Sequence, residues 1–513
     1  MEKNFFEKHL ENYIKNLFKG TIFNFIGEII KRLTGYIYQV LLVRLFGTAI
    51  YGIYTISYSI INVVLRISCL GLDRGGIRYI SILKEENKKE TIKKLVIFLF
   101  LLSFFSGIFW AFITYLFSPL IANLYKKFEV KNGLIYFSIS LPFYTSLLVM
   151  AYSSRGFNKM SYYVLSENFS RPILQIIFLF LLFNLIGKKL AGSILPWFFS
   201  SFLSLILILY FFKKEISFNE RDENYKFNYK EVIIFSYPII FISILYFLFA
   251  WTDIIMLGIF RKAEEVGIYN GIARTAEMTN VFLLSINEVF SPLISQLSYK
   301  RDIESLKILF RVIIRWTLYF SFPLYIFFIL SGKEFLIFIF GKEFEVGYLP
   351  MIILLSGLMY QNAAGESPMT LTMSGYQREW ALTTLIGLLI NIFLAISLIP
   401  NFGIIGASLS TCISLIILRS IGIWEVKKFL KFNTHDLKTL KPLLQGFFCL
   451  ILLYPISLII KNFIKNFVIM MILNIFLCYG IYFMFFIIFK FEKEEKIIIE
   501  IIKKFFKEKK FPF

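Results

Sequence analysis

Apolar runs long enough to cross a membrane recur along this entire sequence. A hydrocarbon core of about 30 Å needs roughly 20 apolar residues in a helix, and we find about fourteen such runs. Hydrophobic residues make up 58% of the chain, more than the interior of a soluble protein of this length could bury. The sequence therefore predicts an all-α polytopic membrane protein with about fourteen transmembrane helices, which begin near residues 20, 50, 93, 132, 161, 190, 230, 266, 308, 347, 380, 403, 440 and 466.

The net charge of +21 arises from basic residues that punctuate the apolar runs. Because these residues do not cluster on one solvated face, no nucleic acid is expected as a partner. If the amino terminus is cytoplasmic, the basic segments 84–94, 299–307, 426–441 and the tail from Lys490 all lie on the cytoplasmic side. Outer loops such as 46–50 are short and poor in charge. The positive-inside rule thus predicts that both termini are in the cytoplasm. We expect the protein to lie in the plasma membrane, surrounded by membrane lipids.

Cofactor chemistry has little support in the sequence. The four cysteines stand singly in apolar runs and the two histidines lie far apart, without metal or redox spacing: Cys69, Cys412, Cys449, Cys478, His9 and His435. There is no phosphate-binding loop and no soluble stretch large enough for an ATPase domain. No cofactor is therefore expected. Transport would draw on a gradient or on the substrate itself, with Na+ or H+ as the candidate coupling cation.

Two short motifs occur twice at nearly the same separation. The segment "YGIYTISYS" (51–59) resembles "VGIYNGIAR" (266–274), and "GKKLAGS" (187–193) resembles "GIIGASL" (403–409). About six spans separate the copies, and an even number of spans returns the chain to the same side of the membrane. The pattern predicts a parallel internal repeat, related by an axis along the membrane normal.

The repeat predicts two six-helix lobes, a form typical of alternating-access transporters. The expected divisions are an amino-terminal lobe (1–212), a cytoplasmic linker (213–230), a second lobe (231–430), and two extra helices with a basic cytoplasmic tail (431–513).

Charged residues inside the predicted spans are the candidate functional residues, because each is costly in lipid and usually faces a partner or a water-filled cavity. In the first span, Glu28, Arg32, Gly35 and Gln39 share one helical stripe with Lys31 beside it, and in the eighth Arg274, Glu277, Val281, Leu284 and Glu288 share another. Arg66, Arg171 and Asp253 complete the set.

Simpler explanations exist for several of these residues. Arg66 could extend toward the membrane surface, and Glu28 with Arg32 could form only an intrahelical pair. Arg32 and Arg274 are harder to dismiss, since each lies on a polar stripe away from the cytoplasmic boundary. A cluster of guanidinium groups suits phosphate or carboxylate. We therefore expect an anionic substrate.

Three segments resemble the polysaccharide transporters, or Wzx-type oligosaccharide flippases, of the superfamily that also holds the lipid II flippases and the multidrug and toxin extrusion (MATE) transporters. They are "LLVRLFGTAIYGIYTISYSI" (41–60), "LGLDRGGIRYIS" (70–81) and residues 374–418 with their "IPNFG" turn. The resemblance implies a MATE-like pair of lobes that rocks between inward-open and outward-open states. It would carry a polyprenyl-diphosphate-linked oligosaccharide from the cytoplasmic to the outer leaflet for surface polysaccharide synthesis. Other polysaccharide-assembly proteins are candidate partners.

The resemblance also suggests roles for individual residues. The lipid II flippases carry functional arginines in three spans, which are similar to Arg32, Arg66 and Arg274 here. Where those relatives have an Arg-Asp pair in the first span, this chain has Tyr38 and Gln39, which favours a lipid-linked glycan other than lipid II.

Anion binding is therefore expected from Arg32, Arg66 and Arg274, with Arg171 and Lys31 as further candidates. The acids Glu28, Asp253, Glu277 and Glu288 are expected to pair with these groups or to carry a coupling cation.

Two other functions remain open. A cation-coupled multidrug or small-molecule antiporter of the same superfamily would depend on acids more than on arginines. A membrane-embedded glycan polymerase or ligase would be an enzyme, but the predicted outer loops are too short to hold its catalytic residues. A transporter, not an enzyme, is the expected class.

Overall fold

The computed structural model describes residues 27–215, 227–464 and 466–488, and no strand occurs within these ranges. The first half contains α1 (27–46), α2 (Thr48–Ser68), α3 (Leu72–Glu85), α4 (Lys89–Tyr125), α5 (Phe128–Ser153), α6 (Met160–Tyr163), α7 (Arg171–Ile186), α8 (Leu190–Ile194) and α9 (Pro196–Glu215). A 3₁₀ turn (Ser154–Phe157) follows α5, and a π-helical segment (Val164–Ser170) precedes α7.

The second half continues as α10 (Tyr229–Phe260), α11 (Ala263–Ala276), α12 (Val281–Tyr299), α13 (Ile303–Ile339), α14 (Tyr348–Ala364), α15 (Ser367–Met373), α16 (Gln377–Leu430), α17 (Leu437–Phe463) and α18 (Phe467–Ile488). Two 3₁₀ turns, Glu277–Asn280 and Lys342–Gly347, precede α12 and α14. The predicted tail beyond residue 488 and most of the predicted linker lie outside the described residues.

The all-helical, multi-pass membrane fold predicted from the apolar runs is confirmed. Eleven helical segments among the described residues are long and apolar enough to cross a membrane. The 54-residue α16 is broken at Gly403, whose φ of 56° and ψ of −128° are not helical. A positive φ favours glycine because it has no Cβ, and the break falls where the sequence predicted a new span. The count of fourteen stays a prediction, because the first predicted span begins outside the described residues.

The eighth predicted span is not one continuous α-helix. The 3₁₀ turn Glu277–Asn280 separates α11 from α12. A 3₁₀ turn has 3.0 residues per turn and not 3.6, so the helical stripe expected from Arg274 to Glu288 changes register there. The side chain of Glu288 lies outside the described residues.

The described residues form two compact units. The amino-terminal unit holds residues 27–215, 227–271 and 388–410, and the carboxy-terminal unit holds the others. In the amino-terminal unit, α5 is central and packs against α2, α3, α4 and α9. In the carboxy-terminal unit, α13 packs against α12, α14, α17 and α18. The division into lobes at 212 and 231 stays a prediction.

Candidate functional site

A buried carboxylate, Glu167, links α1 to the start of α7 in the amino-terminal unit. Its Oε2 accepts a hydrogen bond from Arg171 Nε at 3.0 Å, and its Oε1 lies 3.3 Å from Lys31 Nζ. The Tyr144 hydroxyl donates to the same Oε1 at 3.2 Å. Glu167 lies in the π-helical segment Val164–Ser170, and such segments occur frequently at functional sites. The carboxylate thus has two basic partners from separate helices.

Arg171 is held in place from several sides. Its Cζ lies 4.8 Å from the ring centroid of Tyr144 and 5.2 Å from that of Trp197, which is cation–π geometry. Its Nη1 donates to Gln175 Oε1 at 3.4 Å. Since the guanidinium is buried and bonded to Glu167, the structure places Arg171 as a support of this carboxylate. An anion-binding role for Arg171, expected from the sequence, has no direct support in this arrangement.

The polar stripe of α1 divides between two environments. Asn168 Nδ2 donates to Glu28 Oε1 at 3.1 Å, and Lys31 pairs with Glu167. Arg32 is exposed, because a helix turns by about 100° per residue and carries position 32 away from its neighbour. Lys31, which the sequence placed beside the stripe, therefore makes the inward contact.

Four basic side chains from separate segments act on Tyr152, two through contact with its ring and two through their charge, and we call them the Tyr152 cluster. The Cζ atoms of Arg74 and Arg155 lie 5.7 and 5.9 Å from the ring centroid. Lys31 and Arg66 are within electrostatic range of the same tyrosine. Arg66 and Arg74 are exposed. Sequence reasoning identified Lys31 and Arg66 but missed Arg74 and Arg155, because both lie near helix ends.

Positive charge predominates around Tyr152. Two carboxylates are nearby. Asp73 Oδ2 lies 3.9 Å from Arg74 Nε, and Glu167 is shared between Lys31 and Arg171. Arginine forks bind phosphate or carboxylate in bidentate fashion and keep their charge. The cluster can therefore receive an anionic group of one to two charges.

The two copies of the GIY motif pack against each other, in what we call the glycine contact. A Cβ on Gly52 would lie 1.7 Å from the carbonyl oxygen of Ala263, and one on Gly267 would lie 2.5 Å from that of Thr48. Small residues permit such backbone approach between membrane helices. The glycines of the repeated motif thus allow a close backbone contact between α2 and α11.

Hydrogen bonds extend the glycine contact along the helices. Asn270 Nδ2 donates to the Tyr51 hydroxyl at 2.7 Å and to Thr55 Oγ1 at 3.2 Å. The Tyr269 hydroxyl donates to Asp253 Oδ2 at 2.6 Å. Asp253, a candidate for cation coupling, is thus a buried acceptor between α10 and α11.

The remaining candidate residues lie in other places. Tyr51 donates to Gln39 Oε1 at 2.9 Å, and Tyr38 donates to the carbonyl of Ser193 at 3.0 Å. In the carboxy-terminal unit, Arg274 Nη1 donates to Glu277 Oε2 at 2.7 Å, so these two predicted partners do pair. The convergence of Arg32, Arg66 and Arg274 in one site stays a prediction. Within residues 27–215, 227–464 and 466–488, no group of three or more His, Cys, Asp or Glu side chains could hold a metal ion.

The apolar helices of the described residues define a polytopic membrane protein, and a basic cluster lies among its spans. The family is shown by a match of residues 17–298 to the model described as "Polysaccharide biosynthesis protein". The chain belongs to this family.

Several known proteins are similar to this chain. An uncharacterized membrane protein of Methanocaldococcus jannaschii is 24% identical over 494 residues, which is 92% of this chain and 94% of that protein. The probable low-salt glycan biosynthesis flippase Agl15 of Haloferax volcanii is 27% identical over 191 residues, 37% of this chain and 39% of that one. The lipid II flippase MurJ, in an inward closed conformation, has a similar structure, with a TM-score of 0.69 and 18% sequence identity. The matched part spans 90% of this chain and 97% of the MurJ chain. This last similarity is one of fold.

Proposed function

We propose that the protein moves a polyprenyl-diphosphate-linked oligosaccharide from the cytoplasmic to the outer leaflet of the plasma membrane, by alternating access, for surface polysaccharide synthesis. The observation that carries the proposal is the Tyr152 cluster, where Arg74 and Arg155 contact one aromatic ring and the charges of Lys31 and Arg66 act on the same tyrosine. A diphosphate is the part of such a substrate that this cluster fits.

The position of the cluster along the chain supports a loading role. Arg155 lies in the 3₁₀ turn directly after α5, and Arg74 lies in the first turn of α3. The positive-inside rule assigns the loops after α3 and α5, with both termini, to the cytoplasm. A lipid-linked glycan made in the cytoplasm would meet the Tyr152 cluster first. Arg66, in the last turn of α2, would hold the anion within the span.

The test is a flipping assay in proteoliposomes with a fluorescent polyprenyl-diphosphate oligosaccharide, measured by protection of the label from an external quencher. Hydrogen bonds to charged groups contribute about 1.5–3 kcal/mol, and each 1.4 kcal/mol is a factor of ten. Arg66→Gln and Arg74→Gln are therefore each expected to weaken substrate binding roughly 10- to 100-fold.

A matched control lies one turn from Arg74 on the same helix. Arg78 stacks on Phe235, with its Cζ 4.4 Å from the ring centroid, and is not part of the Tyr152 cluster. Arg78→Gln should therefore leave flipping nearly unchanged. Equal losses in Arg74→Gln and Arg78→Gln would count against a specific anion site. Dye efflux by the wild type, without any flipping, would favour the antiporter.

A further inference from the structure

A second charged pocket lies in the amino-terminal unit, away from the Tyr152 cluster. It has a volume of about 820 Å³ and is lined by the adjacent ends of α2, α4, α5, α8, α10 and α11. This volume is within the range of about 300–1,000 Å³ typical of small-molecule sites. Its basic members are Lys126, Lys127, Arg261 and Lys262, and three glutamates share the lining.

Lys127 is the best placed of these residues to receive a ligand. Its half-buried Nζ donates to the carbonyls of Tyr125 at 3.0 Å and Gly258 at 2.7 Å. An ammonium group has three donors, so one remains after these two neutral acceptors. Among the described residues, no carboxylate oxygen lies within 4.0 Å of this Nζ. Its charge is therefore available to an anion in the pocket.

The other charged groups define what kind of anion fits. Arg261 Nε donates to Glu265 Oε2 at 2.9 Å, which neutralises that pair. Glu129 and Glu264 also line the pocket, and ionised carboxylates only accept hydrogen bonds. A ligand with hydroxyl groups to donate and one acidic group to receive Lys127 matches this lining. A small anion without sugar hydroxyls would leave these carboxylates without donors and matches the lining less well.

The pocket and the Tyr152 cluster lie at opposite ends of one helix. Glu129 is in the first turn of α5 and Tyr152 is near its end, and a rise of 1.5 Å per residue separates them by about 35 Å. This is close to the thickness of the hydrocarbon core. The two sites are therefore distinct, one toward each surface of the membrane.

We propose that this pocket binds an acidic sugar of the glycan, through Lys127, on the outer side where the substrate leaves. This proposal rests on the proposed function. The pocket is assigned to the outer side because the Tyr152 cluster, which loads the diphosphate, is at the cytoplasmic end of the same helix. The ligand class is a saccharide that carries a carboxylate or a phosphate group.

The experiment uses the full-length protein in nanodiscs and saturation-transfer difference NMR, which detects weak ligands. The probes are sodium glucuronate, glucose 6-phosphate and glucose, which are observed directly, and inorganic phosphate, which has no carbon-bound protons and is therefore tested by its competition with the sugar signals. We expect signals from glucuronate or glucose 6-phosphate, with glucose at least fivefold weaker. Lys127→Gln should reduce the acidic-sugar signal at least fivefold, and Lys127→Arg should retain it. A stronger signal from glucuronate would identify a ligand with a carboxylate, and a stronger signal from glucose 6-phosphate would identify a ligand with a phosphate group.

Lys188→Gln is the matched control, since Lys188 lies near Gly47 at the same end of the unit but does not line the pocket. Equal binding of glucose and glucuronate, an unchanged signal in Lys127→Gln, or stronger Lys127-dependent binding of inorganic phosphate than of either acidic sugar would overturn the proposal. The flipping assay is separate. Lys127-dependent binding without any flipping would support the pocket proposal and contradict the proposed function. Flipping without acidic-sugar binding would support the proposed function and contradict the pocket proposal.

Discussion

Replacement of Glu167 by glutamine is the most direct perturbation of the buried ion pairs. Glutamine keeps the volume of the side chain and can keep the bond from Tyr144, but it removes the charge that Arg171 and Lys31 share. The Arg171 side chain is only 8% exposed, so water cannot replace the lost carboxylate. Breaking a buried pair by removing one partner costs about 3–5 kcal/mol. We expect Glu167→Gln to lower the free energy of unfolding by this amount, measured by SDS-induced unfolding in mixed micelles.

Two further variants make this experiment decisive. Glu304 forms an exposed pair with Lys307 at 3.2 Å, with its own side chain 77% exposed. Glu304→Gln should therefore change stability by less than about 1 kcal/mol. The double variant Glu167→Gln/Arg171→Gln should lose less stability than the sum of its single variants, because it leaves no uncompensated guanidinium. A loss in Glu167→Gln no larger than that of Glu304→Gln, or simple additivity in the double variant, would refute the reasoning.

Three further changes have expected outcomes. Gly52→Ala should destabilise the protein in SDS unfolding, since its Cβ would collide with a backbone oxygen, whereas Gly480→Ala, with nothing within 4 Å, should be neutral or slightly stabilising. Burial holds the pKa of Lys127 below its usual value of 10.5 although two nearby glutamates oppose the shift. Its positive charge is therefore lost at a lower pH than that of an exposed lysine. As the pH is raised, acidic-sugar binding, followed by NMR, should weaken before pH 10.5 is reached in the wild type but not in Lys127→Arg. Asp436→Ala removes a capping box and an ion pair to Arg311 at 2.9 Å, and should cost about 0.5–2 kcal/mol in the same unfolding assay.

The sequence predicted the helices far better than the site. Span starts near 50, 132 and 440 agree with Thr48, Phe128 and Leu437, because apolar length is a local property. Glu167 was missed although it stands four residues before Arg171, a spacing that favours an ion pair on a helix.

The composition of the Tyr152 cluster could not be predicted in full. Arg74 and Arg155 are near helix ends, where a basic residue in the sequence equally suggests a side chain that extends to the membrane surface. Arg155 reaches the Tyr152 ring locally, from three residues further along the chain, whereas only the packing of α3 against α5 brings Arg74 to it. In the same way, the repeated GIY motif predicted a duplication, but the sequence did not indicate that its two glycines would meet.

One helix connects the glycine contact to the Tyr152 cluster. Gly52 lies in the first turns of α2 and Arg66 in its last turn, about 21 Å apart at 1.5 Å per residue. A rigid helix cannot tilt at one end without moving the other, so separation of α2 from α11 would also displace Arg66 from Tyr152. A ligand shifts a conformational equilibrium only through contacts that differ between the states. An anion held by Arg66 and the other members of the Tyr152 cluster would therefore favour the state in which the glycine contact is closed. Departure of the anion would remove this preference. This coupling is the link that the proposed alternating access would use, through contacts that the amino-terminal unit already contains.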